Sequence, residues 1–89
     1  MDTYQLYIGG KFRDAEDGAT KPTLNPWNSQ AIANIPVATE MDALDAIAAA
    51  REAFDNGPWP RMSGEERSEI ICGLAAKMKE RMKDLAQLE

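Results

Sequence analysis

Histidine is absent from this chain and cysteine occurs only once. The first absence removes the side chain most used as a general base near neutral pH and as a metal ligand. The second excludes an internal disulfide, so the chain does not read as a stapled secreted scaffold, and a reducing, cytoplasmic setting is expected. Long hydrophobic runs are also missing. The longest uninterrupted apolar stretch, Ala46 to Ala50, is far below the roughly 18 residues of a membrane span. Met1 is followed by an acid, and no secretory signal is read after it. Bases are scarce: ten Lys and Arg stand against 15 Asp and Glu, a net charge of -5. That balance argues against nucleic acid or anionic lipid as a partner, since phosphates demand clustered cations. The remainder is ordinary globular composition, 44% apolar and 28% charged over 89 residues. A chain of that size buries only roughly 60 to 65% of its unfolded surface, so its core would be marginal.

Residues 1–38 carry strand signals. YQLYI (Tyr4–Ile8) mixes aromatic and branched residues, and Gly9-Gly10 supplies the positive-φ positions of a tight turn into KFRDA, which predicts a β-hairpin. A polar loop with Gly18 and Pro22 follows. Asn25 precedes Pro26, which biases it to extended angles and predicts a turn over Pro26 to Ser29. AIANIPV then reads as a strand with Pro36 at its end or edge.

Residues 39–89 carry helical signals. Thr39 is a hydroxyl N-cap candidate with acids behind it. Met41, Leu44, Ile47, Ala48, Arg51 and Phe54 recur at helical spacing and form one stripe, apolar apart from Arg51. Gly57 is placed for a left-handed helix cap, and Pro58 forbids continuation. Ser63-Gly64-Glu65-Glu66 is a capping box that opens a second helix. Its stripe of Ile70, Ile71, Leu74, Ala75, Met78, Met82, Leu85 and Leu88 predicts about 25 uninterrupted helical residues, roughly 37 Å. That length exceeds what so short a chain could cover, and no glycine, asparagine or proline stops the helix. Both features predict a segment of something larger.

Candidate chemistry is sparse. Cys72 lies roughly 120° from the middle of the second stripe, with no histidine to make a thiolate and Glu69 to discourage one, so it reads as a neutral thiol. Gly9-Gly10-Lys11 lacks phosphate-loop spacing and reads as hairpin turn chemistry. Met78 and Met82 read as core filler. The acids that open each helix read as solvated caps rather than a catalytic carboxylate pair.

YIGGKFRDA, TLNPWNSQAIANIPVAT, DALDAIAAAREAFDNGPWPRMSGEER and LAAKMKERMKDLAQLE, in that order from Tyr4 to Glu89, resemble the amino-terminal segment of the aldehyde dehydrogenase family. The resemblance implies a parent enzyme that oxidises aldehydes to carboxylic acids with NAD or NADP. In that family a cysteine thiolate attacks the aldehyde, hydride passes to the nicotinamide, and a glutamate activates water. It also implies an α/β dehydrogenase parent with a Rossmann-like cofactor domain, an aldehyde substrate and a homo-oligomeric assembly, with the remainder of the parent chain as this segment's partner. None of the family's catalytic or dinucleotide-holding residues falls within these 89 residues. Cys72, in the context IICGLA, does not match the nucleophile motif. The backbone carbonyls of Thr23 and Leu24, just before the NP turn, are where some family members bind a monovalent cation; ordinary bonding to neighbouring backbone is the competing reading.

The expected architecture is therefore an α+β fragment: a β-hairpin and extended strands over residues 1–38, then two long amphipathic helices over residues 39–89, the scaffold of an incomplete cofactor-binding domain. Alone it should neither hold a cofactor nor catalyse. An autonomous helix-presenting protein-interaction module is the leading alternative. A self-associating segment that hides its stripes in a helical dimer is a third reading.

Overall fold

The computed structural model describes residues 1–89. Leu6–Ile8 (β2) and Lys11–Arg13 (β3) pair antiparallel, with Ile8 opposite Lys11. Gly9 and Gly10 between them have φ of 60° and 78°, the two left-handed positions of the turn whose twist matches a two-residue hairpin. Tyr7 and Phe12 face each other across the ladder with ring centroids 4.8 Å apart and planes tilted by 52°, a favourable cross-strand aromatic pair.

A second, three-stranded sheet lies beside the hairpin in sequence. Its order is Asp2–Thr3 (β1), Ala31–Pro36 (β5), Thr20–Leu24 (β4). β5 is central, parallel to β1 and antiparallel to β4. The short β1 was not read from the sequence; two residues carry no periodicity. Pro36 ends β5, where its missing N–H interrupts no ladder. Ser29, at φ 59°, closes the turn between β4 and β5. Its N–H donates to the Asn25 carbonyl at 2.7 Å, and the Asn25 N–H to Gln30 at 2.8 Å. Asn25 Oδ1 also accepts from the Trp27 N–H at 2.9 Å.

Helix α1 spans Glu40–Asn56. The left-handed residues are Gly9, Gly10, Gly18 and Ser29, and Gly57 is not one of them, contrary to the cap expected there. Instead Arg61 reaches back from a 3₁₀ turn at Trp59–Arg61. It donates from Nη1 to the Gly57 carbonyl at 2.7 Å and from Nη2 to the Asp55 carbonyl at 3.0 Å. A cation thus satisfies helix-end acceptors that a left-handed glycine would otherwise turn to backbone donors.

Helix α2 spans Gly64–Glu80. Its capping box is complete: Ser63 Oγ accepts from the Glu66 N–H at 3.1 Å while Glu66 Oε1 lies 3.4 Å from the Ser63 nitrogen. The expected single long helix is interrupted at Arg81, whose φ of -106° and ψ of 22° are non-helical; α3 resumes over Met82–Leu88. The Arg81 N–H is shared between the Lys77 and Met78 carbonyls, both at 3.2 Å, the bifurcation usual where a helix tightens at its end. No side chain of α2 or α3 is buried, so only local bonding sets the backbone at the break. No helix is long and apolar enough to cross a membrane.

The observed class is α+β, as expected. The chain forms two compact units, Met1–Ala53 and Phe54–Glu89. The first buries two apolar side chains, Ala15 and Ala33, at 4% and 6% exposure. The apolar stripe of α1 stands outward, with Met41, Leu44 and Ile47 at least half exposed. The opposite face carries the buried Asp42 and, two turns on, the half-buried Ala49. A Cβ on Gly9 would sit 3.9 Å from that of Ala49, at ordinary van der Waals distance.

Candidate functional site

The most organised group of polar side chains centres on Asp42, which is 1% exposed and the one fully buried large side chain. Asp42 stands at the third position of α1, where Thr39 closes a second capping box. The Thr39 N–H donates to Asp42 Oδ2 at 2.8 Å, and the Asp42 N–H approaches Thr39 Oγ1 at 3.3 Å. An aspartate here does what glutamate does in the commoner form of the box. The same carboxylate accepts the Glu16 N–H, 3.1 Å from each oxygen, and the Arg13 guanidinium, with Nη2 at 2.6 Å from Oδ1. Arg13 Nη1 reaches on to Asp45 Oδ2 at 3.1 Å, while its buried Nε has no partner. Thr39 Oγ1 lies 3.1 Å from Glu16 Oε2 and 3.2 Å from Asp42 Oδ2, one hydroxyl proton between two carboxylates.

Two stretches far apart in sequence converge on this carboxylate: the end of β3 with the loop after it, and the start of α1. The Thr39 N–H above all, with that of Glu16, the Thr39 hydroxyl and Arg13, holds Asp42 below its usual value of 3.8 against the opposing effect of burial. Four donor groups occupy the roughly four lone-pair directions of a carboxylate, which leaves Asp42 closed to a metal or a substrate proton. Its work is structural. Sequence reading saw it as one of several solvated acids; the signal it passed over was T-x-x-D ahead of an apolar-periodic run.

The residues singled out from the sequence are scattered. Cys72 is exposed on α2. Met78 and Met82 lie on opposite sides of the Arg81 break, both more than half exposed, so neither fills a core of this chain. Thr23 and Leu24 are on β4 opposite Ala33 and Ala31, with Ile32 the extra residue of a bulge between those pairs. Gly9-Gly10-Lys11 joins two antiparallel strands and so cannot cradle a phosphate at a helix N-terminus as a strand-to-helix glycine loop does. Histidine, cysteine, aspartate and glutamate form no group of three able to hold a metal.

Comparison with known proteins places this segment. The model of the aldehyde dehydrogenase family matches residues 12–89. The mitochondrial 10-formyltetrahydrofolate dehydrogenase of Homo sapiens is 41% identical over 86 residues, which are 97% of this chain and 9% of that protein. Aldehyde dehydrogenase 1 of Tanacetum cinerariifolium is 42% identical over 85 residues, 96% of this chain and 17% of that one. Among solved structures, an NAD-dependent aldehyde dehydrogenase from Sinorhizobium meliloti superposes with a TM-score of 0.87 at 40% identity, over 97% of this chain and 17% of its own. An aldehyde dehydrogenase of Mycobacterium tuberculosis complexed with NAD+ gives the same score at 33% identity. Sequence and backbone agree over nearly the whole chain, which spans less than a fifth of these relatives: the chain belongs to the aldehyde dehydrogenase family.

Proposed function

We propose that this chain is the amino-terminal scaffold of an NAD(P)-dependent oxidoreductase that converts an aldehyde to its carboxylic acid, and that the 89 residues alone are inactive. The observation that carries the reading is the mismatch of coverage: nearly all of this chain matches, against 9% to 17% of the relatives. The residues present do not fit a dinucleotide, because the left-handed glycines sit in a hairpin turn and in loops and no strand-to-helix glycine cradle is formed. NAD or NADP, held by the remainder of the parent, would supply a hydride acceptor there. This chain's residues instead position strands and helices around that Rossmann-like domain, residues 1–38 as the β portion and 39–89 as the helical brace. The outward stripe of α1 is the surface the remainder would cover. An aldehyde substrate, a homo-oligomeric parent and a cytoplasmic setting complete the proposal.

The bulge at Thr23 and Leu24 supports a subsidiary role. A carbonyl carries two lone pairs, so one engaged in a ladder can still face a monovalent cation. Two carbonyls cannot complete its coordination, and the other ligands would come from the remainder of the parent.

The test is reconstitution. The chain alone, with any aldehyde and NAD or NADP, should yield no reduced cofactor, and joined to the remainder of a relative such as the Sinorhizobium enzyme it should. Turnover by the isolated chain that disappears with Cys72→Ala would sink the reading, as would a soluble, folded chimera that fails to turn over.

A further inference from the structure

Asparagine is thermolabile because its side-chain carbonyl carbon lies within reach of the next backbone nitrogen, which can close a succinimide ring on it once deprotonated. The residue that follows decides how readily. Asn25 precedes Pro26, which has no N–H to lose. Asn34 precedes the β-branched Ile35 within β5, paired with Pro22 of β4. Asn28 precedes Ser29, whose N–H is already given to the Asn25 carbonyl at 2.7 Å, while Asn28 Oδ1 accepts from the Gln30 N–H at 3.1 Å. Asn56 precedes Gly57, whose missing Cβ leaves the approach unobstructed and the backbone freest to turn. Asn56 is also the last residue of α1, and one side chain holds the peptides on either side of it. Arg61 donates from Nη2 to the Asp55 carbonyl at 3.0 Å and from Nη1 to the Gly57 carbonyl at 2.7 Å. Ring closure needs Asn56 to leave its helical ψ so that the Gly57 nitrogen meets Cγ. With both flanking carbonyls on one planar fork, that rotation breaks a charge-assisted bond.

We propose that Asn56-Gly57 is a deamidation site whose rate is set by the Arg61 clamp. The Gly57 nitrogen loses its proton to solvent base and bonds to Asn56 Cγ; the bond from Cγ to Nδ2 breaks and ammonia leaves. Water then opens the succinimide at either carbonyl, leaving aspartate or isoaspartate with no change of oxidation state. Isoaspartate puts an extra methylene into the main chain between the Asp55 and Gly57 carbonyls, so one guanidinium no longer spans both and the end of α1 is unlatched. The clamp is made at separations of four and six residues, so it does not depend on what the remainder of the parent covers. The inference goes beyond the enzymatic reading and does not rest on it.

Incubation of the 89-residue chain at mildly alkaline pH, with peptide mass mapping and an isoaspartyl assay at each asparagine, tests it. The same incubation in concentrated urea gives the rate free of the clamp. Without urea, the wild type should convert at Asn56 before Asn28, and more slowly than in urea. Arg61→Ala should raise that rate by about fivefold and leave the rate in urea unchanged. Arg61→Lys, a cation without the planar fork, should fall between the two. Ser63→Ala loosens the opening turn of α2 but leaves both Arg61 bonds in place, and should not accelerate the reaction. Gly57→Ala should slow it by about tenfold or more in both media. Equal rates for the wild type and Arg61→Ala without urea would overturn the clamp, as would an acceleration by Ser63→Ala as large as that by Arg61→Ala. Conversion at Asn28 before Asn56 would overturn the site.

Discussion

The first unit, Met1–Ala53, has an interior; the second, Phe54–Glu89, has only surfaces. The first brings strands together from across the sequence, closes them with paired backbone, and sets one carboxylate where two distant stretches meet. The second is built from local devices: a complete capping box at Ser63, an arginine clamp on the carbonyls of Asp55 and Gly57, and a helix with no buried side chain. Local bonds are enough to start and stop a helix, but each contributes only about 1 kcal/mol. Without buried apolar area nothing adds them into cooperative stability. The two units show that secondary structure can be fully specified where tertiary stability is not.

The comparison breaks most directly at Asp42. Asp42→Ala removes the buried acceptor for Arg13 and for the N–H groups of Thr39 and Glu16 together, leaving two amides unpaired and the guanidinium only its contact with the exposed Asp45, a costly polar loss. Amide hydrogen exchange at Glu16, Thr39 and the hairpin should rise by more than in any other variant named here, while the amides of α2 stay unchanged. Equal protection in variant and wild type would show that the strands hold α1 without it.

The same carboxylate predicts a pH dependence confined to the first unit. Its folded-state value lies below 3.8, so the unfolded chain binds the proton more readily. Its contribution is fully present above about pH 4 and disappears as pH falls through the lowered folded value. An acid titration followed at the Thr39 and Glu16 amides should show opening below about pH 4. In Asp42→Asn that acid step should vanish and leave a weakened unit throughout. A step of the same size in the variant would assign the effect to other carboxylates.

Smaller effects sharpen the description of the second unit. Ser63→Ala and Arg61→Ala should each cost about 1 kcal/mol, the first seen as faster exchange in the opening turn of α2, the second in the closing turn of α1. If helicity fell by half or more with either change, the unit would be more cooperative than its open surfaces imply. The smallest effect should be a gain. Ser29, at φ 59°, holds a conformation that costs an L-residue roughly 1 kcal/mol or more, so Ser29→Gly should stabilise the β4–β5 turn by about 0.5 kcal/mol once glycine's greater unfolded-state entropy is offset. A lower melting temperature would mean that the serine side chain contributes something its backbone does not show.

Much of this was legible along the chain because its causes are local. Gly9-Gly10 between alternating residues forms a hairpin since few other dipeptides tolerate two positive φ values. Ser63 to Glu66 caps a helix since donor and acceptor are three residues apart. The succession of those signals resembles the aldehyde dehydrogenases, and the family match followed. Tertiary structure decided what periodicity cannot. A stripe of Met41, Leu44 and Ile47 says that a face wants burial but not what will cover it, and within this chain it is the opposite face, through Asp42, that meets the hairpin. The left-handed cap drawn for Gly57 was displaced by Arg61, four residues on, because a guanidinium within reach of the last carbonyls satisfies them without a positive φ. Asp42 is the clearest case. Its neighbours in sequence mark a helix start, and only the fold could bring Arg13 and the Glu16 amide to it, because a buried charge is stabilised by partners whose separation in sequence, up to 29 residues here, leaves no local trace.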